Sequence, residues 1–208
     1  VGAGQPRGHV RLSATPTLAD HLLAPHLPDF LDRFPGISLT LDVSAGNVNF
    51  SRWEADLALR LGKPERGDFR IRQVGELPLC LIAPRPAGAG REPDTPPLVC
   101  TYPPDLQDTP EARAVEAATA DMIVPDGPRL VSRSFRAMRP VLLSGRGLGV
   151  LPAALVPASA RSPDSPVTVT PLRQGRPVWL LIQNHLVGDA ATRASIDWIV
   201  ATLAPALN

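Results

Sequence analysis

Ile37-Ser38-Leu39-Thr40-Leu41-Asp42-Val43 places an apolar residue at every second position, the period of a β-strand with one buried and one polar face. Upstream, Leu18, Leu22, Leu23, Leu27, Phe30, Leu31 and Phe34 recur at helical spacing. Thr15-Pro16 offers an N-cap with proline at the first helical position, and Pro35-Gly36 ends the run. Pro25 and Pro28 should kink this helix or split it in two. Further upstream, Val10, Leu12 and Ala14 alternate with His9, Arg11 and Ser13 as another strand. Downstream, a short helix or turn is expected at 47–55, and Leu57, Leu59 and Leu61 form a third strand ending at Gly62. Strand, helix, strand, helix, strand implies parallel strands joined by crossovers, hence an α/β fold.

The remainder continues that alternation. A polar loop at 63–68 leads to 69–75 and then to the apolar run Leu77 to Ala83. Between Pro84 and Pro128 the texture changes: ten of the 25 prolines fall there, so the segment reads as loop-rich structure opening a second lobe. Leu98-Val99-Cys100-Thr101 is a strand within it, and helical periodicity is limited to about 110–120. Leu130-Val131 is the next strand, followed by a helix at 133–144 that bends or restarts at Pro140. A strand at 148–151, a short helix at 152–160 and a strand at 167–172 complete the lobe. Val178 to Gln183 is a strongly apolar strand, and a last helix over 190–204 buries Ile196, Ile199, Val200 and Leu203.

Composition bounds the function. The 208 residues are 44% hydrophobic and 20% charged with a net charge of +1, so the chain carries no electrostatic footprint for DNA by itself. No apolar run approaches the ~20 residues of a membrane helix, and these residues contain no segment with the basic start and apolar centre of a signal peptide. Basic charge is almost all arginine, Lys63 being the only lysine; either carboxylate-pairing sites or coding bias accounts for that. Cys80 and Cys100 each sit in an apolar run, as buried free thiols or as one disulfide.

Gly145, Gly147 and Gly149 compress three glycines into five residues between a helix and a strand. A dinucleotide fingerprint has the reverse order, strand before helix, so a phosphate cradle is excluded in favour of a tight helix-to-strand corner. The backbone at Gly149 and Val150 would then lie near a cleft, and Gly149→Val should weaken a ligand response while leaving folding mostly intact. His9, His21, His26 and His185 lack metal-ligand spacing, and no nucleophile elbow or P-loop occurs. No cofactor or metal is expected.

Small polar side chains gather instead at strand carboxyl ends: Ser13 and Thr15, Arg60, Thr101 and Tyr102, Ser132 and Ser134. Ligands of open α/β sheets bind there. Thr15, Ser132 and Ser134 also suit plain N-capping. Arg60 could hold a ligand carboxylate or pair with Asp56, Glu54 or Asp68. Hydroxyl donors without an acid–base pair suit holding a small anionic or polar molecule better than reacting with it.

Taken together, Gly8 to Ala14, residues 22–27, residues 30–41, Ala55 to Gly62 and the Leu143 to Pro152 stretch resemble the effector-binding domain of LysR-type transcriptional regulators. The resemblance covers about 8–205 and is weakest over 84–128. It implies a type II periplasmic-binding-protein-like fold: two α/β lobes joined by two crossing strands, Leu77 to Ala83 and Val178 to Gln183, with a cleft between them. Lobe I would comprise 8–82 plus 184–206 and lobe II 83–183, with 1–7 a lead-in from a DNA-binding region. Carried onto this sequence, the effector site would take Ser13, Thr15, Thr17, Arg60 and Gly62 from lobe I. It would take Thr101, Ser132, Gly149 and Val150 from lobe II, and Gln183 or His185 near the return crossing.

The resemblance further implies a cytoplasmic, non-enzymatic sensor that forms a homodimer or tetramer through the helix at 17–33 and strand 37–43. It would touch DNA only through a winged helix-turn-helix absent from these residues, and no membrane. The same framework also serves exported solute-binding proteins and small enzymes; these remain the rival expectations.

Overall fold

A computed structural model describes residues 5–44, 54–64, 67–86, 96–122 and 129–207. The helix or turn expected at 47–55 lies, as far as residue 53, outside them. The chain divides into two compact units, Val1–Glu76 with Pro177–Asn208, and Leu77–Arg176.

The first unit is built on a five-stranded sheet. Its strands are β1 (Gly8–Ala14), β2 (Ile37–Val43), β3 (Leu57–Leu61), β4 (Phe69–Leu77) and β10 (Arg176–Gln183), in the order β2-β1-β3-β10-β4. β1 pairs in parallel with β2 and β3, as the strand–helix alternation requires. β10 enters antiparallel beside β3, with Trp179 opposite Arg60 and Ile182 opposite Leu57. Val10, Leu12, Ala14, Leu57, Leu59 and Leu180 are buried in this sheet. The helix α4 (Ala190–Leu203) contacts β1, and its Trp198 ring stands 4.8 Å from Phe30.

The two prolines split the first helical run as anticipated. A wide helical turn spans Leu18–Leu23, a tight turn spans Ala24–His26, and α1 follows over Leu27–Arg33. Pro25 and Pro28 each fall in the first turn of a new segment, where a missing N–H costs no internal hydrogen bond.

The second unit holds β5 (Leu79–Pro84), β6 (Leu98–Thr101), β7 (Leu130–Val131), β8 (Gly147–Pro152) and β9 (Val167–Pro171), in the order β7-β6-β8-β5-β9. Helices α2 (Pro110–Thr119) and α3 (Phe135–Leu143) pack on it, and α3 runs through Pro140 without restarting. The expected helix at 152–160 is two short tight turns, Ala153–Leu155 and Ala158–Arg161.

Both apolar stretches expected to cross between lobes belong to single sheets, β5 to the second and most of β10 to the first. The first connection is Pro78, whose missing N–H cannot extend a ladder. The second falls at the start of β10, between Arg176 and Pro177. The units therefore part at Glu76/Leu77 and Arg176/Pro177, not at 82/83 and 183/184.

Candidate functional site

In the first unit, parallel β1, β2 and β3 end at one edge, and their register brings Ser13, Asp42 and Ala58 level, with Arg60 two residues further on. Arg60 is buried. Its Nη2 donates to Ser13 Oγ at 2.8 Å and its Nη1 to the Leu59 carbonyl at 2.9 Å. Ser13 Oγ in turn donates to Asp42 Oδ2 at 3.2 Å. Burial lowers the Arg60 pKa from its ordinary value and the Asp42 charge opposes that, leaving the guanidinium charged. Of its anticipated acidic partners, Asp56 is taken by Arg11, Nη2 to Oδ1 at 2.8 Å, and Asp68 by Asn184. The Asp56 hydrogen bond holds the Arg11 pKa above its usual value.

Thr15 sits where β1 turns into the helical run; its N–H reaches the Leu59 carbonyl at 3.2 Å and its carbonyl accepts from Ala19. Its Oγ1, however, is buried and has no hydrogen-bond partner. N-capping therefore does not explain this hydroxyl. Capping does explain Ser134, whose Oγ accepts from Ala137 N–H at 3.2 Å, while Ser132 Oγ accepts from Ser134 N–H at 3.0 Å in the turn before α3. Thr17 immediately precedes the Leu18–Leu23 turn, makes no side-chain capping hydrogen bond, and is buried. Gly62 follows β3 with φ +84°, a left-handed conformation that favours glycine, and its N–H is bound by the Pro177 carbonyl.

Gln183 and His185 are not part of this edge. Because β10 runs antiparallel to β3, its carboxyl end lies beside Leu57, at the opposite end of the sheet, and Gln183 N–H bonds the Asp56 carbonyl. The residue that β10 delivers beside Arg60 is Trp179. Sequence reasoning missed it because an apolar run carries no signal of strand direction; only the register identifies it.

In the second unit, Thr101, Ser132 and Val150 share one end of the sheet. Ser132 N–H bonds the Thr101 carbonyl at 3.0 Å, and β6 runs parallel to β8 with Val99 beside Leu148. Tyr102, 2% exposed, donates from its hydroxyl to the Val150 carbonyl at 3.1 Å and meets Phe135 edge-on. Burial first, then the Glu111 charge, pushes the Tyr102 pKa well up. Glu111 is fully buried in an ion pair with Arg176. A Cβ added at Gly149 would stand 2.9 Å from Leu142 Cδ2 and 3.1 Å from both Cys100 Cβ and its carbonyl oxygen. The glycine lets α3 and β6 approach β8, and the space of its missing side chain is filled by protein. Cys80 and Cys100 are free buried thiols, and burial pushes Cys100 up to about 11.

A sequence profile described as the LysR substrate binding domain matches residues 3–204. The Mau operon transcriptional activator of Paracoccus denitrificans is 36% identical over 203 residues, covering 98% of this chain and 68% of that protein. The effector domain of the transcriptional regulator AmpR of Pseudomonas aeruginosa superposes with a TM-score of 0.70 at 19% identity, covering 95% of this chain and 96% of that one. The CrgA regulatory domain of Neisseria meningitidis gives 0.69 at 21% identity, covering 95% and 100%. At such identities the two structures speak for the fold alone: the periplasmic-binding-protein-like α/β arrangement of regulatory domains.

Proposed function

The chain belongs to the LysR substrate-binding domain family, the effector-sensing part of a transcriptional regulator, and from that premise we propose that its effector is a small anionic molecule held at the Ser13–Thr15–Arg60 edge of the first sheet. One observation carries the reading: a buried hydroxyl without a partner, Thr15 Oγ1, at the same strand end as a buried guanidinium already anchored by Ser13. An unsatisfied buried polar atom costs about 1–3 kcal/mol, which a bound acceptor or donor would recover. Arg60 supplies charge, Ser13 and Leu59 fix its orientation, and among the described residues of this edge no acid–base pair stands ready to turn a ligand over, which favours binding over catalysis.

The regulatory consequence would be linkage. An effector shifts the equilibrium between two arrangements of the regulator only by its difference in affinity for them. The subunits would associate as a homodimer or higher oligomer through α1 and the edge strand β2, where Leu31 and Val43 are 52% and 45% exposed. DNA contact would be made in the cytoplasm by a winged helix-turn-helix outside these residues. Among the described residues no helix is long and apolar enough to cross a membrane.

Thermal-shift measurements with small monocarboxylates and their uncharged amides test the ligand class. A carboxylate at 100 times its Kd should add about 2.7 kcal/mol of stability, and its amide far less. Stabilisation by amides and carboxylates alike would contradict the anionic reading.

A further inference from the structure

Trp179 and Arg60 are directly opposed across the β10–β3 ladder, so their side chains stand on the same face of the sheet. The indole ring packs against Ala55, Ala58 and Leu181. Its Nε1 is buried and donates to nothing. The contrast with Trp198 is direct, since that indole donates to Asp29 Oδ2 at 3.3 Å. Tryptophan has a single polar atom, a donor only, and when buried it ordinarily finds an acceptor.

Two buried polar atoms without partners thus belong to the residues that flank Arg60 across the sheet: Thr15 Oγ1 on the β1 side and Trp179 Nε1 on the β10 side. Neither sits where a strand or a cap would use it, and the Arg60 guanidinium is the positive charge of this edge. An indole N–H can satisfy only an acceptor, so the missing group must present one there. Beside the polar row the same face offers the apolar cluster of Ala55, Ala58 and Leu181 with Phe69.

We infer that Trp179 is a specificity-determining residue of the sensor, its indole N–H donating to a carboxylate oxygen of the effector while its ring and the adjoining cluster cover an apolar body. The inference rests on the proposed binding edge but goes beyond it in naming the ligand as a carboxylate with an apolar substituent and in adding a donor from the returning strand. It also sets an order of preference: a carboxylate with a larger apolar body binds more tightly than one without.

Acetate, butyrate and benzoate, with benzamide as the uncharged control, are the probes for a ¹H–¹⁵N titration of the 208-residue chain. Its three tryptophans, Trp53, Trp179 and Trp198, give three indole cross-peaks. The Trp179 peak, assigned by its disappearance in Trp179→Phe, should move downfield with butyrate and benzoate while that of Trp198 stays. Trp179→Phe keeps an aromatic ring but deletes the donor; it should weaken the bound carboxylate about tenfold, the loss of one hydrogen bond to a charged group. Acetate should bind more weakly than butyrate or benzoate, and benzamide should produce no shift.

Binding by a carboxylate that leaves the Trp179 peak in place, with equal affinity in Trp179→Phe, would overturn this inference and leave the binding edge standing. No binding by any of the three carboxylates would overturn both. If Trp179→Phe does not fold, Trp53→Phe and Trp198→Phe assign the other two peaks and the wild-type titration decides, with Trp198 as internal reference.

Discussion

Arg60 Nη2 lies 2.8 Å from Ser13 Oγ, and that single hydroxyl both accepts from the guanidinium and donates to Asp42. The relay lets a charged side chain sit 8% exposed at the end of β3 with its orientation fixed before any ligand arrives. Ser13→Ala removes the acceptor and leaves a buried donor unpaired, at a cost of about 1–3 kcal/mol. Urea denaturation measures it. Ser13→Thr, which retains the hydroxyl, should lose less.

Gly149 departs from the expectation raised by its sequence. A ligand-facing glycine would tolerate a side chain at the cost of response alone. Here a Cβ meets Leu142 and Cys100 at 2.9–3.1 Å, so Gly149→Val should destabilise the second unit by about 1–3 kcal/mol or more through overpacking. Calorimetric melting checks this; an unchanged Tm would contradict it.

Glu111 and Arg176 form a buried ion pair between the first turn of α2 and the start of β10. Removing one partner, as in Arg176→Met, should cost about 3–5 kcal/mol because the other charge is stranded in the interior. The double variant Glu111→Leu with Arg176→Met should recover most of that loss. A double-mutant cycle by chemical denaturation reads the coupling.

Asp189 caps α4, accepting the Thr192 N–H at 2.8 Å, and that backbone hydrogen bond holds its carboxyl below the usual range. A depressed folded pKa contributes stability that is present above the unfolded value, about 3.9, and is lost as pH falls through the folded one. Asp189→Ala should therefore cost about 1 kcal/mol near neutrality, and the difference from wild type should shrink below pH 4. Asp189→Asn keeps an acceptor and should lack that acid dependence.

The parallel core of the first sheet was legible because β1, β2 and β3 announce themselves by alternation and are joined by a helical run. The split of that run was legible from Pro25 and Pro28. What could not be read was non-local: the direction of β10, which moved Gln183 and His185 to the far end of the sheet and brought Trp179 to Arg60. Gly149 was recognised as a place of close approach, yet what approaches, Leu142 and Cys100, depends on packing between elements distant in sequence. The hydroxyls looked alike in sequence. Only the hydrogen-bond pattern separated Ser132 and Ser134, which serve the backbone, from Thr15, which does not.

That difference supplies the most direct test. Thr15→Val replaces a buried, unpartnered hydroxyl by a methyl group of the same shape. A capping threonine would lose about 1 kcal/mol on such a change; an orphaned one should lose nothing or gain stability. Measured in one thermal-shift series with butyrate or benzoate, the variant should match or exceed the wild-type Tm without ligand and lose most of the carboxylate-induced shift. A lower Tm in the free protein together with an undiminished shift would show that Thr15 serves the fold and that the effector does not bind at this edge.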